Sequence, residues 1–161
     1  MYPSAQETGL WVALNLAQRT LHQSMEAALK AQNLPTLRWY DVLWALERSD
    51  GGLRPFELER ALLFEQSNLS RQNRRMIDEG LIEEQVCPQD RRGKILTITA
   101  SGRRVRKRMW EVYGPLLHDL VSAVTADRDA SETVALLMQL IPDRETVVAG
   151  LRQERPEDQE T

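Results

Sequence analysis

The chain has little of what secreted, membrane-spanning and metal-binding proteins need. Its 161 residues include one cysteine, which excludes an internal disulfide and fits a reducing cytoplasm. No apolar run approaches the roughly 20 residues that cross a bilayer, and the N-terminus lacks the basic-then-apolar order of a secretory signal. The two histidines and the cysteine lack metal-ligand spacing, and no glycine-rich phosphate loop occurs. We therefore expect a cytoplasmic protein that is not an enzyme and uses no cofactor, metal or membrane.

The charge is unevenly distributed along a chain whose length predicts one domain. Residues 53–108 carry 13 Lys and Arg against 8 Asp and Glu, a balance of +5, whereas the remainder carries 8 against 16, a balance of −8. A basic middle between acidic ends is typical of a protein in which one lobe approaches phosphates. The alternative is an ordinary solvated surface, and the charge count alone does not decide between them.

Apolar periodicity predicts amphipathic helices near both ends of the chain. Residues 8–31 and 101–125 form the longest, and Pro115 should kink the second near Gly114. Between them the spacing predicts further elements: a helix over 37–48, a short helix from Pro55 to Leu62, a basic helix over 65–79, and strands over 81–86 and 94–99. The intervening segment 87–93 is too polar for anything but a hairpin loop.

Beyond the second long helix, Asp129 and Glu132 resemble a capping box for a helix through Leu140. Val147, Val148 and Leu151 suggest one or two more helical turns. The order of elements predicts a mainly α fold with a small β-hairpin. Helices this long need something to pack on, and a partner subunit is one answer; packing on each other within a monomer is the alternative.

The basic helix separates a packing face from a polar face when it is projected at 3.6 residues per turn. Leu69 and Met76 fall together and face the core. The opposite side and its flanks carry Ser67, Asn68, Ser70, Arg71, Arg74 and Arg75. Arginine can bridge guanine acceptors and asparagine can pair with adenine, so this face suits reading of the major groove. A short helix, a tight turn and this helix make a helix-turn-helix.

The hairpin supplies a second basic element. Arg91, Arg92 and Lys94 cluster at its tip, within reach of a minor groove or its phosphates. Asp90 would repel phosphate, so we expect it to pair with an arginine and hold the tip in shape. The alternative is a solvated basic hairpin beside a solvated basic helix. The two elements in this order and spacing favour DNA binding over that alternative.

These motifs resemble those of the MarR (multiple antibiotic resistance regulator) family of winged helix-turn-helix transcription factors. The similarity lies in the segments NLSRQNRRMIDEGL and CPQDRRGKILTITASG, at 68–81 and 87–102. They contain a recognition helix, a Gly80-Leu81 exit, a D-x-R wing and a strand end that closes at Gly102. The helix order extends the resemblance over nearly the whole chain.

The resemblance implies a homodimer on a pseudo-palindromic operator, with residues 1–34 and 103–153 as the dimerisation region. Residues 37–102 would form the winged DNA-binding lobe and 154–161 a disordered acidic tail. The reading positions would fall at Ser67, Asn68, Ser70, Arg71 and Arg74, and the wing tip at Arg92. Family members commonly repress transcription, and many are released by small aromatic acids or phenols bound where the dimer helices meet the lobe.

Gln72 and Asn73 depart from the family pattern, because polar amides stand where apolar residues are usual. Both would need partners, in the preceding helix or in the wing. Cys87 lies at the wing and has no resolving thiol, so we interpret it as incidental.

The candidate effector-binding residues are chosen by residue type alone. Trp11, Trp39 and Trp110 lie on three helices that should converge, and His22 follows Trp11 in the first helix. Ordinary core packing is the alternative for these aromatic residues. The alternative for the whole protein is a winged-helix protein-interaction module without sequence-specific DNA binding.

Overall fold

The computed structural model describes residues 2–62, 68–87, 90–127 and 129–141, and the side chains of all of these except Cys87 and residues 90–92. The order of elements is α1 (Ala5–Ala31), α2 (Leu37–Arg48), α3 (Pro55–Ala61), α4 (Leu69–Asp78), β1 (Ile82–Cys87), β2 (Asp90–Ile98), α5 (Ala100–Thr125) and α6 (Ser131–Met138). The predicted mainly α fold with a β-hairpin is confirmed. The helical turns predicted at 147–151 and the acidic tail lie outside the described residues.

Local side-chain chemistry accounts for where the helices begin. The Ser4 hydroxyl accepts a hydrogen bond from the Glu7 amide at 3.2 Å, and the Glu7 carboxylate accepts one from the Ser4 amide at 2.6 Å, which caps α1 reciprocally. Pro55 opens α3, where its missing N–H costs nothing. The Thr99 hydroxyl accepts from the Gly102 amide at 3.0 Å and so caps α5.

The two strands form an antiparallel hairpin that a third segment joins at its base. Leu53 and Leu96 exchange two backbone hydrogen bonds, of 3.0 and 2.8 Å. Gly52 permits this approach, because its φ is +88° and a Cβ there would lie 2.4 Å from the Leu96 carbonyl oxygen. The hairpin is thereby held against the segment that links α2 to α3.

The hairpin loop predicted over 87–93 is too long. Cys87 ends β1 and residues 90–93 belong to β2, with Cys87 opposite Asp90 and an irregularity in register between Val86 and Cys87. Polar composition misled the prediction, since backbone pairing in a solvent-exposed hairpin needs no apolar side chains.

Two clusters of buried residues organise the packing. The lobe cluster draws on α2, α3, α4 and the hairpin and comprises Val42, Leu43, Ala45, Leu46, Leu58, Leu69, Met76, Leu81, Ile82, Leu96 and Ile98. The stem cluster lies where α1, α2 and α5 meet and comprises Met25, Leu29, Leu37, Tyr40, Met109 and Tyr113. Helix α2 contributes to both clusters and therefore lies between them.

The long helices extend well beyond these clusters. The buried residues of α1 are Met25 and Leu29, both in its last two turns, and those of α5 lie between Gly102 and Tyr113. Val124, near the end of the predicted helix 101–125, is 68% exposed. Helix α5 runs through Pro115 to Thr125.

Helix α6 differs from its predicted form. The Asp129 carboxylate accepts a hydrogen bond from the Ser131 amide at 2.9 Å, but the N-cap residue is Ala130, which has no capping side chain. The predicted capping box is therefore wrong, and the helix ends at Met138 rather than Leu140. Among the residues described, no helix has the length and apolarity to span a membrane.

Candidate nucleic-acid interface

Helix α4 presents a basic, solvent-exposed face opposite its buried side. Leu69 and Met76 are buried in the lobe cluster, as the helical projection predicts. The residues exposed on the other side are Asn68, Ser70, Arg71, Arg74 and Arg75. The structure therefore brings together five of the six predicted reading residues. Ser67 and the start of the helix predicted at 65 lie outside the described residues.

Asn68 sets the start of α4 in an unusual conformation. Its φ of 70° and ψ of 34° are left-handed, a region that asparagine tolerates better than most residues. Its carbonyl accepts hydrogen bonds from the Arg71 and Gln72 amides at 3.0 and 3.1 Å, which opens the helix. Its side chain makes no capping bond. The exposed amide therefore lies at the first position of the reading face.

Arg74 is held only loosely on this face. Its Nε lies 3.7 Å from the Asp78 carboxylate, and the two side chains are 77% and 67% exposed. An exposed pair of this kind contributes about 0–1 kcal/mol. A phosphate or a guanine edge could therefore take the guanidinium from Asp78 at little cost.

The two unexpected amides of α4 have different surroundings. The Gln72 Nε2 donates to the backbone carbonyl of Arg38 in α2 at 3.2 Å. Asn73 is buried, and its Oδ1 accepts no hydrogen bond in the described part of the chain. Gln72 thus meets α2 rather than the preceding helix or the wing.

The wing places Lys94 beside a carboxylate. Its ammonium lies 2.8 Å from Glu84 Oε1, across the hairpin, with the lysine side chain 61% exposed. A phosphate contact from Lys94 would therefore compete with Glu84. The backbone of Asp90, Arg91 and Arg92 lies in β2, but their side chains are outside the description, so their roles stay predictions.

The four candidate effector residues lie in different surroundings. Trp11 is 68% exposed on α1, Trp39 packs half-buried against the lobe cluster, and Trp110 packs against the stem cluster. The His22 ring instead lies 3.8 Å from Glu26, one turn along α1. Their part in effector binding stays a prediction.

Trp110 does belong to a packed aromatic group. Its ring centroid lies 5.0 Å from that of Tyr113 and 6.4 Å from that of Tyr40, and the two tyrosine rings meet edge to face at 4.8 Å. Burial raises the pKa of the Tyr113 phenol, and Tyr40 raises it further. The Tyr113 hydroxyl is therefore neutral at physiological pH.

An ion pair between the buried Arg106 of α5 and the half-buried Glu47 of α2 was not predicted from the sequence. Arg106 is 9% exposed and contacts the Glu47 carboxylate. The available signal was its spacing, because Gly102, Arg106, Met109 and Tyr113 fall on one buried face of α5. In the described part of the chain, no group of three or more His, Cys, Asp or Glu residues could hold a metal ion.

Comparison with known proteins gives the same interpretation as the motifs. Residues 34–93 match the MarR family model. The chain is 29% identical over 147 residues to the transcriptional activatory protein BadR of Rhodopseudomonas palustris. This alignment covers 88% of this chain and 81% of BadR.

Two solved structures share the fold. AbsC, a MarR family transcriptional regulator from Streptomyces coelicolor, has a TM-score of 0.69 at 24% identity, with 93% of this chain and 99% of AbsC covered. The transcriptional repressor CouR, bound to a 23-mer DNA duplex, has a TM-score of 0.67 at 22% identity, with 87% and 96% covered. The fold and the motif pattern thus agree with the sequence match over residues 34–93, and the chain is similar to MarR family transcriptional regulators in sequence and in fold.

Proposed function

We propose that this protein is a MarR family transcriptional regulator that binds a pseudo-palindromic DNA operator as a homodimer, with α4 in the major groove. The observation that carries the proposal is the exposed basic face of α4, opposite the buried Leu69 and Met76. In this position Arg71 and Arg74 contact bases, Asn68 and Ser70 contact bases or phosphates, and Arg75 lies at the flank. CouR was solved on a DNA duplex, which supports this use of the fold.

The wing supplies the second contact in this proposal. Arg91, Arg92 and Lys94 approach the minor groove or its phosphates, and Asp90 pairs with an arginine at the tip. A phosphate contact from Lys94 would compete with the Glu84–Lys94 ion pair.

The homodimer is supported by the apolar residues that one chain leaves uncovered. They lie towards the start of α1, the end of α5 and along α6, and include Leu10, Trp11, Val12, Leu16, Val121, Val124, Val134, Leu136 and Leu140, each at least 38% exposed. Large apolar side chains grouped on the ends of long helices are typical of an interface. A second copy of the chain covers them, and its symmetry is mirrored in the operator.

The test is DNA affinity of four arginine variants at several salt concentrations. We expect Arg71→Ala and Arg74→Ala to relax base preference by about 1–3 kcal/mol on sequences selected from random DNA. Arg92→Ala should weaken binding with less change of preference. Arg19→Ala, which removes an exposed charge from α1, is the matched control and should change neither.

Salt separates this function from the alternative, a module that binds protein. A DNA binder loses affinity steeply as salt rises, in proportion to the phosphates it contacts. An affinity for duplex DNA that ignores salt, together with unchanged binding by all three lobe variants, would contradict the proposal.

Repression is the proposed direction of control, and we propose that the protein works in the cytoplasm. BadR is named a transcriptional activatory protein and CouR a repressor, so the relatives' names do not set the direction. Transcription in vitro from a promoter overlapping the selected operator tests it. Repression predicts fewer transcripts as protein is added, and more transcripts would reverse the assignment.

A small aromatic acid or phenol is the proposed releasing ligand, with Trp11, His22, Trp39 and Trp110 as its contacts. Because Trp11 is 68% exposed in one chain, the site needs the proposed partner subunit to cover it. Titration with phenol and with phenylacetate should quench tryptophan fluorescence and lower DNA affinity in parallel. An unchanged DNA affinity at saturating concentrations of both would remove this part of the proposal.

A further inference from the structure

Glu47 and Arg106 form a buried polar joint between α2 and α5. The Arg106 Nε contacts one oxygen of the Glu47 carboxylate, and the other oxygen accepts from Arg103 at 3.1 Å. The Arg106 guanidinium also donates to the Tyr40 hydroxyl at 3.5 Å, which returns the contact to α2. The side chains of Arg106 and Glu47 are only 11% and 19% exposed. The joint thus fixes two points of α2 on one stretch of α5.

The joint lies between the two apolar clusters. Leu46 of α2 belongs to the lobe cluster and Tyr40 of α2 to the stem cluster, while Val105, next to Arg106, packs against both. Apolar contact is non-directional, whereas a hydrogen-bonded arginine–carboxylate pair has a preferred geometry. A buried pair also adds little net stability over apolar residues of similar volume. We therefore expect the Glu47–Arg106 pair to restrict the angle between α2 and α5 more than it adds to stability.

A second polar contact links α2 to α4, the proposed reading helix. Gln72 of α4 donates to the Arg38 carbonyl at the start of α2, at 3.2 Å. Helix α2 is thus tied to α5 through Glu47 and to α4 through Arg38. The amide at position 72, which the packing face of a helix would not select, has a specific partner in this arrangement.

We propose that Glu47, Arg106 and Gln72 are positioning residues that fix α4 relative to α5 and so set which half-site spacing the protein accepts. The inference rests on the proposed dimer and operator, because the separation of two reading helices determines the distance between half-sites. None of the three needs to contact DNA for this effect.

The first experiment measures affinity for operators whose half-sites are moved apart or together by one and two base pairs. The variant Glu47→Leu/Arg106→Met removes both charges together, so that no buried charge is left unpaired. Gln72→Leu removes the contact to α2 but keeps the volume. Lys107→Ala, an exposed neighbour of Arg106 on α5, is the matched control.

We expect the wild type and Lys107→Ala to prefer one spacing, and the two test variants to lose about tenfold of that preference, which is the usual scale of coupling between contacting residues. Base preference within an isolated half-site should stay unchanged. A defect in folding alone would lower affinity for every spacing equally, so the ratio between spacings isolates positioning.

The second experiment needs neither DNA nor the dimer. Spin labels at Glu79→Cys and Glu111→Cys, both exposed, report the distance between α4 and α5 in a Cys87→Ser chain diluted with unlabelled protein. The distance distribution should be narrow in the parent and broader or shifted in both test variants. If the double variant does not unfold cooperatively, the label distances in Gln72→Leu decide the inference. Loss of the Gln72 hydrogen bond should leave the protein folded, because that bond is exposed.

Unchanged spacing preference and an unchanged distance distribution in the folded variants would overturn the inference. Failure of the proposed function has a different signature, namely a wild type that selects no operator at all. In that case the label distances still decide whether these residues position α4.

Discussion

The winged lobe and the far ends of the long helices differ in how completely one chain buries their apolar residues. In the lobe cluster, Val42, Leu43, Leu58 and Met76 have no exposed surface. Trp11 on α1 and Val124 on α5 are each 68% exposed, and Leu140 beyond α6 is 61% exposed. One chain therefore buries the apolar residues of its lobe, which we call the finished region. It leaves those at the far ends of its long helices exposed, and we call these ends the unfinished region.

Geometry explains the difference. Three helices and a hairpin converge on the lobe cluster, so each apolar side chain has neighbours on several sides. Helices α1 and α5 meet near the stem cluster, and beyond it no described residue of α1 before Met25 or of α5 after Tyr113 is buried. The contrast connects sequence to the proposed function, because the lobe carries the face of α4 proposed to read bases and the helix ends carry the surface proposed for dimerisation.

The largest expected effect comes from removing volume in the finished region. Leu43→Ala should lower the free energy of unfolding by about 2–5 kcal/mol, because a fully buried leucine leaves a cavity. Urea denaturation at a fixed protein concentration measures it. The matched truncation Leu16→Ala, at a 48% exposed position of α1, should cost much less at concentrations where the chain is monomeric, because the proposed dimer would cover Leu16. Equal losses at the two positions would erase the contrast between the regions.

A charge in the unfinished region should act on association instead. Val124→Glu should weaken the proposed dimer at least about tenfold, or about 1.4 kcal/mol, because dimerisation would bury an unpaired carboxylate. Sedimentation across a range of concentrations measures the dissociation constant. Lys107→Glu, nearer the start of α5, should leave it unchanged. A wild type that sediments as a monomer at all concentrations would contradict the assigned role of this surface.

A smaller effect is expected at the cap that joins the hairpin to α5. The Thr99 hydroxyl accepts from the Gly102 amide at 3.0 Å and donates to the Gly80 carbonyl at 2.7 Å. Thr99→Ala should cost about 1 kcal/mol of unfolding free energy, and Thr99→Ser should restore most of it because the hydroxyl returns. Thermal unfolding of the three proteins measures this. If Thr99→Ser is as unstable as Thr99→Ala, the hydroxyl is not the cause.

The smallest effect is expected at the start of α1, where the cap is fully exposed. Hydrogen bonds from the Ser4 side chain and backbone lower the pKa of Glu7 below 4.5. Stability from this carboxylate is fully present above pH 4.5 and is lost as the pH falls through the lowered pKa. Titration followed by NMR should show the Glu7 pKa rising towards 4.5 in Ser4→Ala. An identical titration curve in that variant would exclude the cap as the cause.

Features with a strong local signal were predictable from the sequence. The apolar period of α2 gave its bounds, Leu37 to Arg48, and the projection of α4 separated the buried Leu69 and Met76 from the arginines. Both predictions depend on spacing within one helix, which the sequence contains in full. The strands were less accurate at the tip, because hydrogen bonding between backbones extends them through polar residues.

Features that depend on contacts between distant segments were not predictable. Glu47 and Arg106 belong to different helices, and only the three-dimensional packing makes them partners. Gln72 looked misplaced until its contact with the Arg38 carbonyl was seen. The tryptophans could be chosen by type, but type does not distinguish the exposed Trp11 from the packed Trp110.

Selection of bound sequences from random duplex DNA tests most directly that the exposed face of α4 reads bases for a two-fold symmetric protein. The wild type should enrich a motif with two inverted half-sites about one helical turn apart. Arg71→Ala should weaken the base preference at the same positions of both half-sites equally, since each copy supplies one reading helix. Enrichment of a single unrepeated half-site, or of no sequence at all, would contradict the account.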